Sequence, residues 1–192
     1  IGVSAGYEGR FKWGQYIGGG PIGCPVGTSV TVNDLFGNQP ARRKFLKTIS
    51  SEASRISDLV SRMALGFPEV RFRLSVEGRV SIATTGSGKL LDAITSVYGR
   101  QVASEMLQFI CDGTDCSAFG FVSPPSLTRA NRNYMTLLVN RRWIESRTLY
   151  FALTQSYHGL VADRRYPIAI VNLRVPYDEV DVNVHPSKRE VR

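Results

Sequence analysis

The sequence lacks the features that direct a chain into or across a membrane. None of its apolar runs approaches the roughly 18 residues that a membrane-spanning helix requires. Its first residues, IGVSAGYEGRF, contain no methionine and lack the charged-then-apolar layout of a secretory signal. We therefore expect no membrane partner, and we expect the chain to be part of a longer protein.

Cysteine and histidine are also scarce. The chain has three cysteines, Cys24, Cys111 and Cys116, without a CxxC spacing, and only two histidines. These residues provide neither a disulfide framework nor the ligand spacing of a zinc site. We therefore expect a reduced, cytoplasmic protein with incidental cysteines and no metal ligands.

Motifs of self-contained catalysis are missing as well. The sequence has no GxSxG, HExxH or DxDxDG motif. The segment ATTGSGKLL, residues 83–91, approaches a phosphate-binding P-loop, but Ala83 replaces a required glycine and Leu90 replaces the hydroxyl that binds Mg²⁺. We interpret it as a glycine turn into a helix. The carboxylates of DEVD, residues 178–181, are divided between the two faces of a predicted strand, so we expect no paired metal site.

The chain does contain ample apolar material and an excess of positive charge. Of its 192 residues, 43% are hydrophobic, and the net charge is +8. Such a chain can build a core, and its charge favours polyanions such as nucleic acids. The basic residues gather in three places: Arg42, Arg43, Lys44 and Lys47; Arg129 and Arg132; and Arg141, Arg142 and Arg147.

Hydrophobic periodicity predicts a mixed α+β fold. Helical spacing of apolar residues begins at Ser51, at Lys89 and after Ser146, and Ser146 is a predicted N-cap. Pro40 predicts the first turn of a further, short helix. The predicted buried faces are Ile56, Leu59, Val60 and Met63 on one helix, and Leu149, Leu153, Tyr157 and Leu160 on another. Strands are predicted at 28–36, 70–77, 79–84, 102–110, 117–122, 134–140, 166–176 and 178–186, with a turn at 141–146.

Four segments together resemble one protein family. GTSVTVNDLFGNQPARRKFLK, residues 27–47, resembles the GTxVxVxDLFxNxPARRKFLK block of the MutL family of DNA mismatch repair proteins. LLVNRRWIESRTL is similar to the family's VNGR segment, and VDVNVHPSKREVR is similar to its VDVNVHPxKxEVR block. GSGKLLDAITSVYG is similar too, and the segments follow the family's order over nearly the whole chain.

The resemblance implies a fold and a division into domains. MutL proteins are GHKL-type ATPases, related to gyrase B, Hsp90 and histidine kinases. They join an ATP-binding α/β sandwich to a transducer domain that is similar to domain 2 of ribosomal protein S5. By this resemblance, residues 1–66 would be the C-terminal portion of the ATP-binding domain, and residues 67–192 would be the transducer domain.

The resemblance also implies site residues and partners. Gly27 and Thr28 would line the adenine pocket, and Lys188, supported by Asn183, would contact the γ-phosphate of ATP. The groove that holds DNA would be lined by Arg42, Arg43, Lys44, Lys47 and Arg142. The intact protein would form a homodimer when ATP is bound, associate with the nucleoid, and pass a signal from a MutS-type mismatch recognition protein to a downstream endonuclease or helicase.

The sequence departs from the family pattern in several respects. Gly37 replaces a residue that is usually aromatic, and Arg141 replaces a glycine. The family's Mg²⁺-binding asparagine motif with its catalytic glutamate, its Asp-x-Gly adenine motif and its glycine-rich lid have no counterpart in these 192 residues. We therefore expect ATP and Mg²⁺ to bind in the intact protein, and we expect no ATP hydrolysis by this chain alone.

Two alternatives remain open at this point. The chain could be a standalone S5-type module that binds nucleic acid and has no nucleotide role. It could also be the transducer region of another GHKL ATPase, such as a type II topoisomerase, although PARRKFL and DVNVHP are not expected there.

Overall fold

The computed structural model describes residues 5–114 and 116–176. Two compact units make up the chain, Ile1–Glu52 and Ala53–Arg192. Strands and helices occur together, so the predicted α+β class is confirmed. The boundary between the compact units lies in the first turn of an 18-residue helix, whereas the predicted domain boundary lies at that helix's last residue, Gly66.

The first unit contains an antiparallel hairpin and a short helix. Strand β1 (Gly6–Lys12) pairs with β2 (Gln15–Ile22), and the turn residues Trp13 and Gly14 have φ values of 54° and 84°. Positive φ at both positions is typical of the type I′ turn that suits the twist of a hairpin. Helix α1 (Pro40–Arg43) begins at Pro40, as predicted, because its missing N–H has no partner in a first turn anyway.

The strand predicted at residues 28–36 is wrong. None of the strands in the described residues pairs with this segment, and Val30 and Val32 are 81% and 68% exposed. The backbone turns instead at Asp34 and Phe36, whose φ values are 47° and 64°. Alternating valines provide one apolar face, but a strand also needs a neighbour for its backbone hydrogen bonds.

The remaining elements complete the described chain. In order, they are α2 (Ile49–Gly66), β3 (Arg73–Val76), β4 (Arg79–Ala83), α3 (Leu90–Tyr98), α4 (Arg100–Glu105), β5 (Leu107–Asp112), β6 (Ser117–Val122), β7 (Thr128–Arg129), a 3₁₀ turn (Arg132–Tyr134), β8 (Met135–Val139), β9 (Arg142–Ile144), α5 (Arg147–Gln155), β10 (Tyr166–Pro167) and β11 (Ala169–Arg174). The β3–β4 hairpin and helices α2, α3 and α5 confirm the corresponding predictions.

A five-stranded sheet of order β5-β6-β11-β8-β9 organises the second unit. Strands β8 and β11 run parallel, with α5 in the connection between them, and the other pairs are antiparallel. All five residues of β8 are buried. A strand that is buried on both faces is typical of the centre of a layered α/β arrangement.

Two apolar clusters cover the two faces of this sheet. Leu138 and Ile170 pack with residues of α2, α3 and α4, including the fully buried Ile94. Leu137 and Val139 pack with leucines of α5. Because successive side chains of a strand point to opposite faces, β8 supplies both clusters.

Several boundaries and faces differ from the predictions. Residues 100–105 form a helix, because a short apolar run does not by itself distinguish helix from strand. The predicted turn at 141–146 contains strand β9, which forms a hairpin with β8. On the helices, Ile56, Leu59, Met63 and Leu160 are 49%, 46%, 43% and 62% exposed, since α2 buries only its last residues and α5 ends before Leu160. The strand predicted at 178–186 lies outside the described residues.

Candidate functional site

The basic residues of ARRKFLK surround the C-terminal end of α1. Arg42 and Arg43 form its last turn, and Lys44 caps it by donating its backbone N–H to the carbonyl of Pro40 at 3.1 Å. Side chains of both arginines and of Lys44 are exposed. Proline starts the helix and the chain leaves it one turn later, so three adjacent cations are presented to solvent on one short element.

A neighbouring turn restrains two of these cations. The Arg43 guanidinium lies 3.7 Å from the carboxylate of Asp34, and the Arg42 guanidinium lies 6.0 Å from the ring centre of Phe36. Lys47 follows α1, and its backbone N–H donates to the carboxylate of Glu52 at 2.9 Å. The predicted residues Arg42, Arg43, Lys44 and Lys47 are thus all exposed, and they lie within six positions of one another in the first unit.

The predicted adenine-pocket residues are also accessible. Gly27 and Thr28 are exposed, and Gly27 has a φ of 141° with no atom within 4 Å of the position that a Cβ would occupy. Open space beside a glycine allows a ligand to approach the backbone closely, and the adenine contact itself stays a prediction. The other predicted nucleotide contacts, Asn183 and Lys188, lie outside the described residues.

Arg142, the remaining predicted DNA contact, is an exposed residue of β9 in the second unit. It follows the turn made by Asn140 and Arg141, whose φ values are 48° and 69°. This turn is the connection of the β8–β9 hairpin, so Arg142 lies at the end of β8. Arg142 and the basic residues of ARRKFLK belong to different compact units. The predicted groove, which would be lined by both, therefore stays a prediction.

Asn140 has a positioning role that the sequence did not reveal. Its side-chain amide donates to the carbonyl of Val175 at 3.0 Å, and its amide oxygen accepts from the N–H of Val175 at 3.1 Å. One asparagine therefore satisfies both backbone groups of a residue just beyond β11. The available signal was an asparagine beside a left-handed turn, a residue type that tolerates positive φ.

Arg141 is a second residue whose role was missed. Its guanidinium pairs with the carboxylate of Glu69, donates to the carbonyl of Gly66 at 3.4 Å and lies 4.7 Å from the ring centre of Phe67. The arginine that replaces the family's glycine therefore keeps the left-handed turn and fastens it to the end of α2. The charge was visible in the sequence, but its partner lies 72 positions away.

Gly37, the other residue that departs from the MutL pattern, lies in a crowded position. A Cβ at this residue would lie 2.0 Å from a carboxylate oxygen of Asp34 and 2.6 Å from the indole of Trp13. The described structure therefore leaves no room for an aromatic side chain here. The ring of Trp13 already occupies the space beside this backbone.

The segment ATTGSGKLL forms a glycine turn that leads into α3, as interpreted from the sequence. Gly86 and Gly88 have φ values of 70° and 79°, and Lys89 is the N-cap residue. The hydroxyl of Ser87 donates to the carboxylate of Asp92 at 2.7 Å and accepts from the backbone N–H of Lys89 at 3.2 Å. The hydroxyl of Ser87 thus links the glycine turn to Asp92 in the first turn of α3.

Three further observations limit the chemistry of the described residues. They contain no group of three or more histidine, cysteine, aspartate or glutamate side chains arranged to hold a metal ion. Cys24, Cys111 and Cys116 are exposed and form no disulfide with one another. No helix within 5–114 and 116–176 is long and apolar enough to cross a membrane.

Comparison with known proteins places the chain in a family. The profile of the family described as "DNA mismatch repair protein, C-terminal domain" matches residues 94–192, more than half of the chain. The chain belongs to the MutL family of DNA mismatch repair proteins. It is 42% identical over 188 residues to the MutL of Pelotomaculum thermopropionicum and 41% identical over 192 residues to that of Lactobacillus helveticus.

The alignments with these MutL relatives cover nearly all of this chain but only part of each relative. The alignments include 98% and 100% of this chain, but only 31% and 30% of the two relatives. The chain therefore spans less than a third of the length of the curated proteins that it matches. Family membership disfavours both alternatives, a standalone S5-type module and the corresponding region of a type II topoisomerase.

Solved MutL structures share the fold. The Aquifex aeolicus MutL ATPase domain complexed with ADP matches 90% of this chain and 62% of that chain, with a TM-score of 0.73 and 28% identity. Another structure of the ATPase domain of Aquifex aeolicus MutL, described as a bacterial mismatch repair endonuclease, has a TM-score of 0.74 and 24% identity over 96% of this chain. The second comparison shows the fold alone.

Proposed function

We propose that this chain is the part of a MutL-type mismatch repair ATPase that connects the bound nucleotide to DNA. The observation that carries the proposal is the match of 90% of the chain to a MutL ATPase domain complexed with ADP. In this proposal residues 1–66 complete the ATP-binding domain and residues 67–192 form the S5-like transducer. ATP binding, with Mg²⁺, promotes homodimerisation and signalling from a MutS-type protein to a downstream endonuclease or helicase.

The nucleotide-contacting residues of the proposal are Gly27, Thr28, Asn183 and Lys188. The open backbone at Gly27 supports the adenine contact. For the phosphate contact, the support is the similarity of VDVNVHPSKREVR, the segment that carries Lys188, to the corresponding block of the MutL family. An ammonium on a flexible stem suits a terminal phosphate because it acts as a compact point charge.

The DNA-contacting residues of the proposal are Arg42, Arg43, Lys44, Lys47 and Arg142. Their exposure and the net charge of +8 support a sequence-independent contact with phosphates. Such contacts release counterions, so affinity falls steeply as salt concentration rises. Mismatch recognition itself is assigned to the MutS-type partner.

The DNA assignment is tested with the double variant Lys44→Glu and Arg142→Glu. Fluorescence anisotropy of a labelled duplex, measured over a range of salt concentrations, should show weaker binding and a shallower salt dependence. The matched control is Arg73→Glu with Arg79→Glu, which reverses two exposed charges on the β3–β4 hairpin. An equal loss in both double variants would contradict the proposed groove.

The nucleotide assignment is tested in a full-length MutL that carries this sequence. Lys188→Ala should lower ATP turnover at saturating ATP, because charge on the transferring phosphate is less stabilised. Lys89→Ala is the matched control, since that lysine belongs to the glycine turn that we do not interpret as a P-loop. Equal turnover of the Lys188 variant and the parent protein would refute the phosphate contact.

A further inference from the structure

A second basic surface lies at the opposite end of the sheet from Arg142. It is formed by residues 128–134, which lead into β8, and residues 163–166, which lead into β11. Because β8 and β11 are parallel neighbours, both segments lie at the edge where these strands begin. Arg142 follows the end of β8, and a strand of five residues at about 3.3 Å per residue separates the two ends by about 17 Å.

Backbone pairing and side-chain hydrogen bonds hold these two segments together. Strands β7 and β10 pair antiparallel, with Tyr166 opposite Arg129. The Arg165 guanidinium donates to the hydroxyl of Thr128 at 2.9 Å and to its carbonyl at 3.0 Å. The surface is therefore a built structure rather than two independent loops, and Arg165 has a fixed neighbour within it.

Tyrosine rings order two of the arginines. The Arg129 guanidinium lies 5.2 Å from the ring centre of Tyr134, and the Arg132 guanidinium lies 5.1 Å from that of Tyr166. An arginine over a ring gains a cation–π contact and keeps N–H donors at the edges of its plane. Such pre-ordered guanidinium groups lose less side-chain entropy when they bind an oxyanion.

The charge of this surface is unbalanced. Residues 128–134 and 163–166 contain four arginines, Arg129, Arg132, Arg164 and Arg165, against one carboxylate, Asp163. Within the described residues, none of the four forms an ion pair. Arg132, Arg164 and Arg165 are exposed and Arg129 is half-buried, so most of this charge faces solvent.

We propose that this arginine–tyrosine surface binds the phosphate backbone of DNA, as a second contact remote from Arg142. Arginine favours phosphate because its planar fork donates two parallel hydrogen bonds to two oxygens. The contact carries no base specificity, since it reads phosphates alone. It rests on the proposed function for its ligand, DNA, but it uses none of the residues assigned there.

The test compares two triple variants that each remove three positive charges. Arg132→Gln, Arg164→Gln and Arg165→Gln change the proposed surface, whereas Arg71→Gln, Arg73→Gln and Arg79→Gln change exposed arginines near the β3–β4 hairpin. Affinity for a labelled duplex is measured against salt concentration. Each lost phosphate contact makes the negative slope of log K against log salt shallower by about 0.9, so the first triple should reduce its magnitude by about 2.7 and the second should leave it unchanged.

Two results would overturn the inference: an unchanged slope in the surface variant, or equal reductions in both triples. The single variant Arg164→Gln is a second test that removes charge without removing a contact that holds the surface together. No described hydrogen bond, ion pair or ring contact involves the Arg164 side chain. This variant should reduce the magnitude of the slope by about 0.9. An acidic-peptide site would leave all DNA slopes unchanged. If the surface variant matches the parent chain while Lys44→Glu with Arg142→Glu weakens binding, the inference fails and the proposed function stands.

Discussion

The guanidinium of Arg141 pairs with the carboxylate of Glu69 and so joins the β8–β9 turn to the loop after α2. The same side chain donates to the carbonyl of Gly66, the last residue of α2, at 3.4 Å. Its φ of 69° lies in the left-handed region, which favours glycine. Contacts of the side chain thus offset a strained backbone at one residue.

Two substitutions at Arg141 separate these opposing effects. Arg141→Ala removes the contacts and keeps a Cβ in the left-handed region, whereas Arg141→Gly removes the same contacts and relieves the strain. We expect the glycine variant to be more stable than the alanine variant by about 1 kcal/mol. Urea unfolding monitored by circular dichroism measures the difference, and equal stabilities would show that the backbone carries no cost.

The same ion pair predicts a pH dependence of stability. The hydrogen bond from Arg141 is the largest cause that lowers the pKa of the Glu69 carboxyl below its ordinary value. A lowered pKa in the folded state stabilises the fold above the ordinary pKa of glutamate, about 4.3, and this contribution is lost as pH falls through the folded value. We expect the melting temperature to fall slightly more below that pH in the parent chain than in Glu69→Gln.

Salt provides the control for this pH effect. Both side chains are about half exposed, at 51% and 49%, so the pair is screened by solvent and by ions. Molar salt should therefore remove most of the difference between the two chains at neutral pH. A difference that persists unchanged in high salt would point to packing rather than to charge.

Local patterns predicted the helices and hairpins correctly where one short segment carried all the information. Ser146 is an N-cap as expected, with its hydroxyl accepting from the N–H of Leu149, and Glu77 and Gly78 form the β3–β4 turn. The errors arise where the outcome depends on partners. Val30 and Val32 alternate like strand residues, but no described strand pairs with them.

The candidate sites, too, were predictable where one short segment forms them and not where distant segments meet. Arg42, Arg43 and Lys44 are adjacent in sequence, and their presentation follows from Pro40 starting a helix of one turn. The contacts of Asn140 and Arg141 join positions 35 and 72 residues away, which no local pattern encodes. The surface around Arg132 likewise needs the pairing of β7 with β10, and each of these strands has only two residues.

The N-cap of α5 gives a prediction about stability. Ser146 accepts the N–H of Leu149 at 3.3 Å, and this donor would otherwise lack a partner in the first turn. Ser146→Ala should lower the free energy of unfolding by about 1 kcal/mol. Thr148→Ala, at an exposed position of the same turn, is the control and should change stability much less. Equal effects would mean that the cap contributes nothing specific.

We predict the largest loss of stability for a substitution at Gly120, because this residue lies where three strands of the sheet meet. It belongs to β6, opposite Phe109 of β5 and Val171 of β11. A Cβ here would lie 1.9 Å from the carbonyl oxygen of Ile170, so an alanine must push β6 away from β11. Overpacking of this kind costs about 1–3 kcal/mol even where side chains can adjust, and a backbone carbonyl inside a sheet adjusts less.

We therefore expect Gly120→Ala to lower the melting temperature strongly or to abolish cooperative unfolding. Gly20→Ala is the matched control, since Gly20 also lies in a strand, β2, and has no atom within 4 Å of its Cβ position. Near-ultraviolet circular dichroism and thermal unfolding distinguish the two. If both variants melt as cooperatively as the parent chain, then β6 and β11 do not approach as closely as the structure shows, and the packing of the central sheet would need revision.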